Sequence, residues 1–348
     1  MRYLEKNLEE RLDPRRRFPW AKSVLVLAAA HAYPDPGVPP GGLRLGRVAR
    51  YAWVRDYHAL IAPQLRALEE VARGAGLETT SPYGLGEAKG YIDHGPFLER
   101  GYGVLAGLGW LGKNSMLMRM DGGSYLTLAV LLTSLELEAG LPEETSGGSS
   151  LYPDRCGRCT RCVKGCPTGA LSPDGMLDAR KCVSYWTIEH RGFIAPELWQ
   201  GMGEWLLGCD ICQEVCPWNS KARQHWQGFE PEAELAHPDI RQFFELSSHA
   251  FAKRFQGTVF LRPGRTRMAR NALIVLSNLG DENHLSLVRK ASSDASPLVR
   301  ATALHTAIRL GEKSIADKLS TDPDPMVSYQ ARVALGEDPA TAGNGLAG

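Results

Sequence analysis

The sequence predicts a chain in three parts: a mixed α/β domain, then a small cysteine-rich module, then an all-α repeat domain. Three observations predict it. Strand-like and helix-like hydrophobic periods alternate through the first third, all eight cysteines lie between Cys156 and Cys216, and after about residue 245 an Ala/Leu-rich helical segment recurs with a proline turn. At 348 residues, 43% hydrophobic and 23% charged, the chain is long enough for two or three separate cores. We read the boundaries as 1–150, 151–230 and 231–340, followed by an Ala- and Gly-rich disordered tail at 341–348.

In the first part, residues 23–30 read as a buried strand of Val, Leu and Ala. Tyr57 to Arg73 reads as an amphipathic helix, with Ile61, Leu65, Leu68 and Ala72 on one face and Gly74 as its stop; Pro63 is a kink or the true start. Phe97 to Ala106 reads as a second helix, and Ser115–Arg119 and Tyr125–Thr133 as two further strands. Arg15-Arg16-Arg17-Phe18 ahead of the first strand superficially resembles a twin-arginine export signal. Pro19 and Trp20 interrupt it, so it reads as structure and the expected compartment is the cytoplasm. No apolar run approaches the roughly 20 residues that a membrane span needs. Residues 136–154, with Gly147-Gly148-Ser149-Ser150 among them, read as a polar linker.

The cysteines follow as C-x2-C-x2-C-x3-C-P from Cys156 to Pro167, a lone Cys182, and C-x2-C-x3-C-P from Cys209 to Pro217. This is the spacing of two [4Fe–4S] clusters in a ferredoxin-like module, because a tight run aims three thiolates at one cube and the proline sends the next cysteine elsewhere. The repeat of that pattern suggests a crossed division: Cys156, Cys159, Cys162 and Cys216 on one cluster, and Cys166, Cys182, Cys209 and Cys212 on the other. Zinc and a disulfide framework are the alternatives that spacing leaves.

In the last part, Arg270–Gly280 and Ala301–Gly311 resemble one another, with a partial third copy at Gln330–Gly336. Their turns match as well, Asp294 to Arg300 facing Asp322 to Ser328, which predicts HEAT-like repeats of about thirty residues. Net charge is near +1, but it is unevenly spread. Lys253, Arg254, Arg262, Arg265, Arg267 and Arg270 have no acid among them, and Glu136 to Glu144 is acidic. Basic residues on a repeat helix are more often a solvated face than a nucleic-acid site, although twenty residues without an acid favour the latter somewhat.

Several short motifs stand in order around the cysteines: Asp13-Pro14-Arg15, Ala21-Lys22-Ser23, Arg50-Tyr51-Ala52 ahead of Arg55-Asp56-Tyr57-His58, and Asp93 with Gly95-Pro96 and Glu99-Arg100. The loop from Gly107 to Lys113-Asn114 and Gly208-Cys209-Asp210-Ile211-Cys212-Gln213 complete the set. Together they resemble the epoxyqueuosine reductases, from near residue 3 to the repeats. The sequence departs from that family in a shorter start and in the long linker after Glu138.

The resemblance implies a monomeric oxidoreductase in which two [4Fe–4S] clusters feed cobalamin, as cob(II)alamin, held in the α/β domain. Its substrate would be a tRNA with a GUN anticodon carrying epoxyqueuosine, whose epoxide becomes an alkene in the last step of queuosine synthesis; a small electron donor of unknown identity supplies the electrons. Asp93 aligns with the family's proton donor, a role that needs a desolvated pocket. Arg55, Tyr57, Lys113, Asn114, Ser184 and Asp210, with Asp93, are the candidates for lining the corrin. Lys253, Arg254, Arg262, Arg267 and Arg270 would hold tRNA phosphates while the flipped base enters the α/β pocket. Two other readings compete: a corrinoid reductive dehalogenase acting on small organohalides, and a non-catalytic iron–sulfur scaffold gripping a partner with its repeats.

Overall fold

The computed structural model describes residues 7–75, 86–138, 154–220, 222 and 225–337. The chain forms two compact units, neither contiguous: Met1–Pro34, Val54–Asp178 and Asp210–Pro231 make the first, and Asp35–Trp53, Ala179–Cys209 and Glu232–Gly348 the second. The expected tail at 341–348 and most of the expected linker lie outside the described residues. Among those residues the strands are β1 Ser23–Ala30, β2 Arg47–Val48, β3 Ala88–Ile92, β4 Trp110–Leu111, β5 Leu117–Met118, β6 Leu126–Thr133 and β7 Trp205–Leu207.

In the first unit, β1, β6 and β3 form an antiparallel sheet with β6 in the centre, registered Ser23 to Thr133 along β1 and Ala88 to Thr133 along β3. The expected buried strand at 23–30 is half-buried throughout, because it is an edge; the buried stretch is Ala129–Thr133 of β6. The helix Tyr57–Ala75 packs on β3 and β6 through Ile61, Leu65 and Ala72, each of the two larger side chains contributing roughly 1.5–3 kcal/mol. It runs past Gly74 and carries the exposed Pro63 inside it. Contact is close at Gly90, where a Cβ would stand 2.4 Å from the Leu65 side chain. The helix Glu99–Leu105 is shorter than its sequence signal, and the strand expected at Ser115–Arg119 shrinks to β5, paired with β4. Ser115, at φ 59°, closes that hairpin with its N–H on the Gly112 carbonyl.

In the second unit, three longer helices, Gly264–Leu279, Pro297–Arg309 and Pro325–Ala334, alternate with the shorter Leu285–Ala291 and Ser314–Leu319. Each turn places an aspartate on an arginine of the preceding long helix. Arg265 grips Asp294 with two bonds of 2.8 Å, and Arg300 grips Asp322 with two of 2.7 Å. Both forks are largely buried, where charge-assisted bonds are strongest, and the two aspartates occupy matching places in the repeated turn.

The first long helix also anchors the cysteine-bearing segment of its unit. Arg270, wholly buried, donates to the carbonyls of Trp186, His190 and Gly192 at 2.7–2.9 Å and to Asn271 Oδ1. Asn271 Nδ2 donates in turn to the carbonyls of Thr187 and Leu206. This overturns one expectation: Arg270 has no surface with which to meet a phosphate. Burial, with the nearby charge of Arg267, pulls its pKa down to about 9, and the carbonyls offset the cost of keeping it charged at neutral pH. Arg267 is likewise turned inward, donating to the carbonyls of Ile188, Arg262 and Pro263. Lys253, Arg254 and Arg262 are exposed, although Arg262 meets Glu189 at 2.6 Å.

Arg270→Met keeps a side chain of similar length but strips the donors from three backbone carbonyls and from Asn271. It is expected to lower unfolding stability by about 3 kcal/mol or more, read as a fall in the urea midpoint at unchanged slope.

Candidate functional site

Four thiols of the first unit gather around one cavity. Asp154 accepts from the Cys156 N–H at 2.8 Å, and the Cys159 N–H closes on the Cys156 carbonyl, so the run turns tightly into the helix Arg161–Gly165 that carries Cys162. That helix packs on Ile211–Glu214, which leads to Cys216. Cys156, Cys159, Cys162 and Cys216 consequently border a cavity of about 50 Å³ shared with Asn114 and Trp218. Burial pushes the Cys162 and Cys216 thiols up, and the charges of other cysteines in the set push them further. Mutual repulsion of this kind is what iron relieves, so the donor set fits a cluster.

Cys166 is in extended conformation before Pro167 and does not border this cavity. Burial alone would raise its thiol. The Thr168 hydroxyl and the N–H groups of Thr168, Ala170 and Leu171 outweigh it and bring the thiol below its ordinary range. Cys212 sits in Ile211–Glu214 of the same unit. Cys182 and Cys209 belong to the second unit, Cys182 ahead of the helix Val183–Ile188, whose second residue is the half-buried Ser184, and Cys209 two residues after β7. Gly208, at φ 70°, makes the turn into Cys209, and a Cβ there would stand 2.5 Å from Ala49.

A buried chain of side chains, missed in the sequence, holds the second cysteine run of the first unit. Asn219 Nδ2 donates to Ser124 Oγ at 2.9 Å, and Ser124 Oγ donates to Gln213 Oε1 at 2.9 Å. Gln213 Nε2 donates to Asp210 at 2.8 Å. Asn219 also takes the Ser124 N–H and gives to the Gln213 carbonyl. Asp210 is thus buried as part of this chain. Lys113 is also differently employed: its ammonium donates to the carbonyls of Gly157 at 2.7 Å and Cys159 at 3.3 Å, clamping the cluster loop. Asn114 is buried with its Nδ2 lacking a partner among the described residues.

A second group surrounds Asp93 at the end of β3. Asp93 takes φ 54°, a left-handed conformation that costs a non-glycine residue about 1 kcal/mol or more. The buried Tyr57 donates its hydroxyl to Asp93 Oδ2 at 2.6 Å. Tyr57 stacks on His58 at 4.3 Å, His58 Nδ1 bonds Asp56 at 2.7 Å, and the His94 ring lies 5.8 Å from His58. Burial, and then the charge of Asp93, raises the Glu99 carboxyl above its usual range. His58 and Glu99 stand in the motifs read from the sequence, but neither they nor His94 was among its candidate site residues, although Asp56-Tyr57-His58 and Asp93-His94 already paired acids with imidazoles. The chain alone leaves Asp93 exposed, so the desolvation expected for an acid has to come from whatever binds over it. Arg55 is exposed as well.

Comparison with known families places two descriptions on the chain: "Epoxyqueuosine reductase QueG, DUF1730" over residues 11–93 and "4Fe-4S double cluster binding domain" over 155–219. An epoxyqueuosine reductase of Gloeobacter violaceus is 37% identical over 284 residues, covering 77% of this chain and 82% of its own. Among solved structures, epoxyqueuosine reductase with an epoxyqueuosine-modified tRNA-Tyr stem loop matches with TM-score 0.82 and 28% identity, over 94% of this chain and 85% of that one. The Bacillus subtilis enzyme, solved with a catalytic aspartate loop swung out of the active site, matches with TM-score 0.81 at the same identity and coverage.

Two outcomes are expected. Asn219→Ala, which leaves the Ser124 N–H and the Gln213 carbonyl without their partner, should cost about 2 kcal/mol or more and lower the iron and sulfide retained per chain after anaerobic reconstitution. Glu99 binds its proton more tightly folded than unfolded, so wild-type stability falls as pH rises from the ordinary carboxylate range through its raised pKa. Glu99→Gln should remove that fall, making the variant the more stable protein at neutral pH in thermal melts taken across that range.

Proposed function

The chain belongs to the epoxyqueuosine reductase family, and from that membership we propose how its residues carry out the reduction of epoxyqueuosine to queuosine at the wobble position of tRNA. The observation that carries this reading is the acid held at the end of the family's own segment: the match over 11–93 ends on Asp93, which Tyr57 fixes from the start of the neighbouring helix. The double-cluster match over 155–219 spans all eight cysteines and supports two [4Fe–4S] clusters; the spacing divides the ligands as Cys156, Cys159, Cys162 and Cys216 against Cys166, Cys182, Cys209 and Cys212.

Converting an epoxide to an alkene and water consumes two electrons and two protons. Bound cobalamin would supply the low-valent cobalt that receives electrons from the clusters and opens the carbon–oxygen bond. The α/β part, 1–150, would hold it, and the unpartnered Nδ2 of Asn114 fits the amide and phosphate acceptors around a corrin. Tyr57 positions Asp93 by its hydroxyl, and Asp93 gives its proton to the departing oxygen once the substrate has displaced water from it. Arg55 and Ser184 remain candidates at the corrin edge. Lys113 and Asp210 serve the cluster loops, where their hydrogen bonds lie.

Lys253, Arg254 and Arg262, on the surface of the 231–340 part, would meet tRNA phosphates alongside HEAT-like repeats, and the substrate would be a GUN-anticodon tRNA. No helix among the described residues is long and apolar enough to cross a membrane. We place the enzyme in the cytoplasm as a monomer, where its tRNA is.

The test is anaerobic reconstitution with iron, sulfide and cobalamin, then single turnover on epoxyqueuosine-tRNA with nucleosides resolved by mass spectrometry. Loss of one oxygen, dependent on cobalamin, is expected. Asp93→Asn should keep the cluster and corrin spectra and slow product formation by about 100-fold or more. Clusters that assemble beside an unchanged nucleoside and no bound corrin would put the scaffold reading in its place.

A further inference from the structure

We propose that the surface around the first cysteine run is the docking face for a small acidic one-electron carrier protein, which seats an apolar patch beside the cluster of Cys156, Cys159, Cys162 and Cys216. The inference rests on the reductase reading only for its demand for electrons.

Three observations in the first unit carry it. Arg155, Arg158, Arg161 and Lys164 alternate with the cysteines and are all exposed, and among the described residues none of the four forms an ion pair. Positive charge interleaved with cluster ligands is complementary to an acidic partner and steers it toward the metal rather than toward the fold at large. Next to this collar opens an apolar pocket of about 480 Å³, bordered by Leu12, Leu98, Tyr102, Leu105, Trp110 and Leu111, with Asp154 on its rim. Leu12 and Leu105 there are 61% and 64% exposed, an unusual pairing of bulky leucines for a surface that no other described residue covers. The pocket and the cluster cavity meet through two indoles: Trp110 borders the first, Trp218 borders the second, and their rings stand edge to face at 4.9 Å. A small apolar centre inside a charged collar is the build of a weak electron-transfer encounter, which trades area for rapid release. A nucleic acid would want the collar but has no use for the leucines.

The balance is simple. Two reduced carriers dock in turn, each losing one electron to the cluster, and the pair of electrons with two protons converts the epoxide to alkene and water.

The experiment mixes holoenzyme with reduced flavodoxin, an acidic one-electron donor, and follows cluster bleaching by anaerobic stopped flow. Arg158→Glu with Lys164→Glu should lower the second-order rate about ten-fold or more at low ionic strength, and the gap to wild type should close as salt rises. Leu105→Lys should slow transfer while leaving the salt dependence in place. Reduction by dithionite, iron and sulfide content, and binding of an unmodified tRNA stem loop should not change in either variant. A flavodoxin rate that is unaffected by both variants overturns the proposal, and so does a loss of stem-loop binding with electron transfer intact, which would assign the collar to RNA. Wild-type clusters that flavodoxin reduces without any change in the nucleoside would sink the reductase reading and leave the docking face standing.

Discussion

A backbone that bends around a metal cluster gives up the ladders of helix and sheet, so every peptide group it buries needs a partner from somewhere else. In this protein side chains from distant parts of the sequence supply those partners. Asp154 and Lys113 satisfy the first cysteine loop, Asn219 the Gln213 carbonyl ahead of Cys216, and Arg270 with Asn271 the segment between Cys182 and Cys209. Most are polar or charged groups of a kind that rarely tolerates burial, and they are tolerated because nearly all their hydrogen-bonding capacity is used. The positions of the thiols therefore depend on a few amides and one guanidinium more than on any apolar contact.

Around Asp93 the arrangement runs the other way. The backbone is strained at that one residue, the side chain is exposed, and a single hydroxyl, from Tyr57, holds it. Such a group is fixed in direction yet open to solvent, which suits an acid whose environment is completed by the substrate. At Cys166 the opposite holds: a hydroxyl and several N–H groups supplied by the chain itself are directed at the thiol, so its surroundings are complete within the fold.

Local patterns were legible in the sequence, and long-range pairings were not. The cysteine spacing, the helix from Tyr57 and the recurring helix with its Asp-led turn are periodic signals, and each stands in the structure. β3 escaped notice because Gly90 breaks its short run, and β4 because two residues make no period. Arg270 misled for a physical reason: an arginine in an acid-free run looks solvated, and only the carbonyls of residues 186–192 show where its charge goes. The Ser124–Asn219 bond joins positions 95 apart, a distance over which a single sequence carries no trace of contact.

Both units are assembled from interrupted stretches, the first not complete until Pro231 and the second reaching from Asp35 to the far end of the chain. The first unit therefore cannot close until about two thirds of this polypeptide has been made, and the cysteines of the first run, made long before that, must wait for Cys216. Cutting the gene at 150 would part β2 from β7, and cutting it at 230 would part Arg270 and Asn271 from the carbonyls they hold, so neither cut yields working pieces.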